Sequence, residues 1–267
     1  QAINLYFSGD EAELEKARYY NSFKSGYDEY PAMIETAMRL LDREDPLYRI
    51  LEVKKYYFEG VLARMKMPLI AKPKVLLAQA FVAQEAAFRL DSTAAYIQNE
   101  LGVLHQLNKS YADAENYYRN ATKQAPTWAI PWANLTGLYA MMNQLEAGKR
   151  AAHIADSLKA DIQNTAINLG IIHEKSGNLL LAEEQYRRAI AINSRHFLPF
   201  ERLGYVYCKT TNYQQADSCF HEADIRKKGY HFEGSGLQMF AVAAPSFPKP
   251  ILPCILDTSI LLKNDLM

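Results

Sequence analysis

Residues 99–126 read NELGVLHQLNKSYADAENYYRNATKQAP. Apolar side chains recur at helical spacing, small residues sit between them, and Pro126 closes the run. No catalytic group stands out. What decides its meaning is that it recurs. Leu101-Gly102 is matched 34 residues later by Leu135-Thr136, then by Leu169-Gly170 and Leu203-Gly204. His105, Tyr139, His173 and Tyr207 follow at the same spacing, as do Ala114, Gly148, Ala182 and Ala216. Tyr118, Ala152, Tyr186 and Phe220 form another column, and Ala121, Ala155, Ala189 and Ala223 the last. A fixed period of this length marks a stacked-repeat architecture.

Each unit reads as two helices. Leu101 and His105 lie four apart on one helical face, and Ala114, Tyr118 and Ala121 share a face of a second helix. Small slots allow the helices to approach closely, and aromatic slots fill the remaining space. The intervening turns carry Asn108-Lys109-Ser110 and Ser176-Gly177-Asn178, both typical breakers.

This pattern resembles the tetratricopeptide repeat (TPR) family. The family's tryptophan stands once, at Trp132, with Phe200 as the nearest substitute elsewhere, and its terminal proline stands once, at Pro126. The resemblance covers residues 95–230, as units 95–128, 129–162, 163–196 and 197–230. It implies an all-α fold, a right-handed superhelical solenoid of antiparallel helix pairs. Upstream, residues 1–94 hold degenerate pairs: one over 11–44, and one with a first helix at 48–65 and a second at 74–91. About six pairs are expected in all. Residues 231–267 carry Pro245, Pro248, Pro250 and Pro253 and are expected to form an irregular tail that caps the last pair or lies extended. A short helix at 237–243 is a further expectation.

The bulk composition narrows the function. Lysine plus arginine and aspartate plus glutamate each number 30, so no basic excess points to nucleic acid. No apolar run reaches the roughly 18 residues of a membrane-spanning helix. Three cysteines, an odd and sparse set, argue against a disulfide framework and favour a cytoplasmic location. The chain begins at Gln1 rather than methionine, so a signal peptide or an upstream domain could precede it. No glycine-rich phosphate loop, zinc-protease helix or paired-cysteine spacing is present, and no cofactor or metal is expected. Cys219 and His221 are two apart on a helix and point to different faces, so they do not form a nucleophile–base pair.

In the family, the first helix of each pair lines a concave surface. Two residues before the glycine column stand Glu100, Asn134, Asn168 and Arg202. An asparagine amide offers a donor and an acceptor. The repeated pair Asn134 and Asn168 resembles the asparagine ladder of peptide-binding family members. Asn99, Val103, Ile130, Gly137, Asn164, Ile167, Ile171, Leu198 and Tyr205 flank it. Lys175 and Lys209 share one column near Arg202 and could attract an acidic peptide. The basic residue that opens the family's chaperone-binding clamp is absent, because Asn99 and Val103 stand there. The expectation is a non-enzymatic scaffold that binds an extended partner segment. Alternatives are the scaffold portion of a larger enzyme, such as a caspase-like protease fusion, and a self-associating array.

Overall fold

The computed structural model describes residues 30–67, 73–159 and 162–229. The first helix of the 11–44 unit, residues 68–72 and the 231–267 tail lie outside the described residues. All described secondary structure is helical: α1 (Tyr30–Met38), α2 (Pro46–Lys66), α3 (Pro73–Leu90), α4 (Ala95–Leu107), α5 (Tyr111–Gln124), α6 (Ala129–Met141), α7 (Leu145–Leu158), α8 (Gln163–Lys175), α9 (Leu179–Ile192), α10 (Leu198–Lys209) and α11 (Tyr213–Gly229). The chain divides into two compact units between Pro131 and Trp132.

In the first unit α1 packs on α2, α2 on α3, α3 on α4, and α4 on α5. In the second, α7 packs on α8, α8 on α9, α9 on α10, and α10 on α11. Thus α3 packs both on its own first helix, α2, and on the next first helix, α4, and α9 likewise packs on α8 and α10. This is how a unit that cannot bury its apolar face alone is stabilised.

The turn inside each pair repeats to the residue. Lys109, Asn143, Gly177 and Thr211, spaced by 34, all have φ between 59° and 77°. The next residue's N–H returns to the carbonyl five residues back: Ser110 to His105, Gln144 to Tyr139, Asn178 to His173, and Asn212 to Tyr207, at 2.8–2.9 Å. This is a Schellman closure, which satisfies carbonyls that a helix end would otherwise leave unpaired. Only Gly177 meets the left-handed conformation without steric cost; at Thr211 a β-branched side chain accepts it.

The glycine and aromatic columns prove to be facing partners. A Cβ on Gly102 would stand 2.6 Å from the Tyr118 ring, one on Gly170 2.5 Å from Tyr186, and one on Gly204 2.8 Å from Phe220. The upstream pair repeats the contact, with a Gly60 Cβ 2.5 Å from the Gln84 side chain. Gln84 stands 34 before Tyr118, whereas Gly60 stands 42 before Gly102. The extra eight residues belong to the segment that ends the long α2 and leads into α3. Where the small slot holds the larger Thr136, the opposing column holds only Ala152, and both are fully buried. Volume is conserved across the pair of columns rather than at either one.

A second covariation runs through the same rings. The Tyr118 hydroxyl donates to Gln106 Oε1 at 2.9 Å, and the Tyr186 hydroxyl to Glu174 Oε2 at 3.0 Å. Gln106 and Glu174 occupy one column. In the two units without a tyrosine hydroxyl, that column is apolar or weakly polar, Ala140 and Cys208.

The histidine column is aromatic packing. His105 stacks on Tyr117 (5.1 Å between centroids, 20°) with Phe81 edge-on at 5.0 Å. Burial pushes the pKa of both His105 and His173 down.

Candidate functional site

The predicted groove residues all lie on first helices. Asn99 and Glu100 are on α4, Asn134 on α6, Asn168, Ile171 and Lys175 on α8, and Arg202, Tyr205 and Lys209 on α10. Their surroundings differ from the sequence expectation. Asn99, Glu100, Asn134, Asn168, Ile171 and Arg202 are buried, Tyr205 is half-buried, and only Lys175 and Lys209 are exposed.

Glu100, expected on an open inner face, is a packed ionic residue instead. Both it and Arg64 of α2 are fully buried, and Arg64 Nε and Nη2 donate to the two carboxylate oxygens, the second at 3.2 Å. The reason lies in the long α2, which carries Arg64 four residues past Gly60. Relative to the glycine column, Arg64 thus stands where Gln106, Ala140 and Glu174 stand in later units.

Arg202 shows the same pairing with the charges exchanged. Its Nη1 lies 3.9 Å from Glu174 Oε2. Glu174 Oε1 also accepts from Lys209 Nζ at 2.8 Å. Lys175 Nζ donates to the Ala140 carbonyl at 2.7 Å. The basic cluster expected to attract an acidic peptide is therefore largely committed within the chain, with Glu174 as its counter-charge. The column of Glu100, Asn134, Asn168 and Arg202 thus has an ionic residue at each end, each beside an opposite charge from the preceding first helix. The two central residues are neutral amides.

Sequence reading missed His196, which carries no repeat signature. It is fully buried just before α10, stacks on Phe197 (5.4 Å, 8°), and accepts from the Leu198 N–H at Nδ1, 3.3 Å away. Burial lowers its pKa to about 4. The unfolded chain would protonate this imidazole near its ordinary value of about 6.5, so between pH 6.5 and 4 the unfolded state holds the extra proton. Stability contributed by neutral His196 is present above that window and is lost as pH falls through it, by up to about 3 kcal/mol. Urea unfolding between pH 7 and 4 should show this acid-side loss, and His196→Phe should flatten it.

Other chemistry is limited. Among the described residues no group of three His, Cys, Asp or Glu side chains could hold a metal ion. Cys219 is a free, half-buried thiol whose pKa burial pushes up, which keeps it protonated. Cys208 is disulfide-bonded. No described helix is long and apolar enough to cross a membrane.

Four helix pairs that recur every 34 residues and close by the same turn define a helical-repeat fold. The tetratricopeptide-repeat family model matches residues 164–196, one full unit of the array. A crystal structure of MamA protein superposes with a TM-score of 0.51 at 18% identity, covering 68% of this chain and 97% of that one. MamA 41-end from Desulfovibrio magneticus RS-1 gives 0.50 at 11% identity, over 65% and 97%. The anaphase-promoting-complex hetero-tetramer Cut9–Hcn1 gives 0.55 at 16% identity, over 76% of this chain and 36% of that one. No curated protein sequence matches. Residues 164–196 thus match the tetratricopeptide repeat, and the fold is an all-α, TPR-like helical solenoid.

Proposed function

We propose that the protein is a non-enzymatic interaction scaffold, whose second compact unit binds an extended segment of a partner protein against its first helices. The observation that carries this is the pair of neutral amides, Asn134 on α6 and Asn168 on α8, in one column between ionic neighbours. The ionic residues at Glu100 and Arg202 have counter-charges in the fold. In the slots that hold Arg64 and Glu174 beside the ionic residues, the repeat has the uncharged Gln106 and Ala140 for the two amides. An amide pairs equally well with a backbone N–H or carbonyl, which suits a segment read by its main chain. The half-buried Tyr205 and exposed Lys209 would contact its side chains at one end.

Peptides selected from a displayed random library on the full chain would test this. Asn134→Ala with Asn168→Ala should weaken the selected peptides about 5- to 100-fold, since each amide hydrogen bond contributes about 0.5–1.5 kcal/mol. Far-UV circular dichroism should show the helices retained. Wild-type affinity in the double variant, or no selected peptide, would sink the reading.

A further inference from the structure

Helix α8 is buried around its circumference, in an unbroken run from Gln163 to Asn168. The helices packed on it, α7 and α9, approach at Ile172 and Gly170. At 3.6 residues per turn, Asn164, Ile167 and Ile171 share the side turned away from both. They are nonetheless 3%, 0% and 3% exposed. The flanking first helices are covered on the same side. Ala133 of α6 holds the column of Ile167, Leu198 of α10 holds that of Asn164, and both are buried. The second helix α9 differs, with a single buried stripe of Ala182, Tyr186 and Ala189. A helix buried all round has a layer against each face. Among the described residues, α7 and α9 are the helices that pack on α8, so the other layer comes from elsewhere in the chain.

We propose that this layer is the protein's own C-terminal segment, residues 245–256, laid across the first helices of the second compact unit. These residues lie outside the described ones. Cys208 on α10 is disulfide-bonded and Cys219 is free, and the chain's third cysteine, Cys254, falls in this segment. Pro248, Pro250 and Pro253 bar a helix, so Ile251, Leu252 and Ile255 find no cover in a helix pair of their own. The face they would meet is apolar, with Ala133, Ile167 and Ile171. A polyproline strand rises about 3.1 Å per residue, so the segment spans about 35 Å, enough to cross three helices about 10 Å apart. Residues 230–267 leave the second unit directly from α11, whereas residues 1–29 lead into α1 of the first. The segment acts as a resident ligand. It holds the face that a partner segment would use, and a partner binds in proportion to the fraction of molecules in which the face is vacant. This inference rests on the segment-binding reading above and adds how that face is regulated.

A full-length variant with Ile251→Asp, Leu252→Asp and Ile255→Asp removes the apolar anchors without touching the first helices. Peptides selected from a displayed library on this variant should bind it about tenfold or more tightly than they bind wild type. A synthetic peptide of residues 245–256, carrying Cys254→Ser, should bind the variant, compete with the selected peptides, and bind wild type about tenfold or more weakly. Far-UV circular dichroism should be unchanged, and Leu252→Asp alone should give the same changes at smaller size. Equal affinities of the selected peptides for wild type and variant, or a synthetic peptide that does not bind the variant, overturn the inference and leave the binding reading intact. Binding of the synthetic peptide with no library peptide selected overturns the partner reading and supports this one. Release of the face by Leu5→Asp with Phe7→Asp, in place of the C-terminal variant, would make the N-terminal segment the occupant. A wild-type dimer that the C-terminal variant loses would put the segment on a second copy. Either result overturns the inference.

Discussion

Gly170→Leu is expected to destabilise the second unit by about 3 kcal/mol or more, the upper range for overpacking a close-packed interior. A single added carbon would already sit 2.5 Å from Cε1 of Tyr186. That ring cannot swing away, because it is fully buried and its hydroxyl is bonded to Glu174. The chain itself contains the compensating solution. At the same two columns the preceding pair uses Thr136 and Ala152. Gly170→Thr alone should therefore destabilise, and Tyr186→Ala alone should cost about 3–5 kcal/mol through the cavity it leaves. The double variant should lose less than the sum by about 1–3 kcal/mol, a coupling that contacting residues show. Urea midpoints of the four proteins, read by far-UV circular dichroism, measure it. Strict additivity would mean that the two columns do not face each other.

Arg64→Met should be nearly as damaging in the first unit. It leaves the Glu100 carboxylate buried without its guanidinium, and breaking one side of a buried pair costs about 3–5 kcal/mol. Glu100→Gln should also destabilise, because the buried guanidinium loses its counter-charge. Replacing both by leucine should recover most of the loss, since a well-packed apolar pair is often as stable as the ionic one. Raising the salt concentration should barely change the wild-type value, because the pair is closed to solvent. If Arg64→Met unfolds at the wild-type urea midpoint, the pair contributes nothing and the assignment of Glu100 to the fold is wrong.

The repeat was legible because identical packing problems recur at identical spacing. Six columns place α4 to α11, and the tight glycine contacts follow from the small slots alone. The left-handed turn was only half legible. Gly177 announces it, but Lys109 and Thr211 do not, since nothing in their chemistry favours a positive φ. Upstream the columns stop aligning, because the eight residues inserted after Gly60 shift α2 out of phase with everything downstream. Arg64 therefore could not be matched to Glu100 by counting, and Glu100 was read as an open-face residue. At the other end Lys209 and Arg202 looked available because Glu174 belongs to a different unit and a different column. The register of Asn134 and Asn168 could be read directly. Burial could not, because it depends on what the rest of the chain lays over a helix face.

The tyrosine hydroxyls carry a last consequence. Tyr118 with Gln106, and Tyr186 with Glu174, each join the two helices of one pair through a matched donor and acceptor. The pairs built on Ala152 and Phe220 have neither half of that match. The units are therefore not interchangeable cassettes cut anywhere. A chimaera that joins α8 to α7 in place of α9 would strand Glu174 without its phenol. Grafting α9 behind α6 would strand a phenol opposite Ala140 and set its ring against Thr136. Half-pairs cannot be exchanged without stranding one side of that match, so the complete hairpin is the smallest grain at which this array can recombine, and the Arg64–Glu100 and Glu174–Arg202 ion pairs further tie particular hairpins to their neighbours.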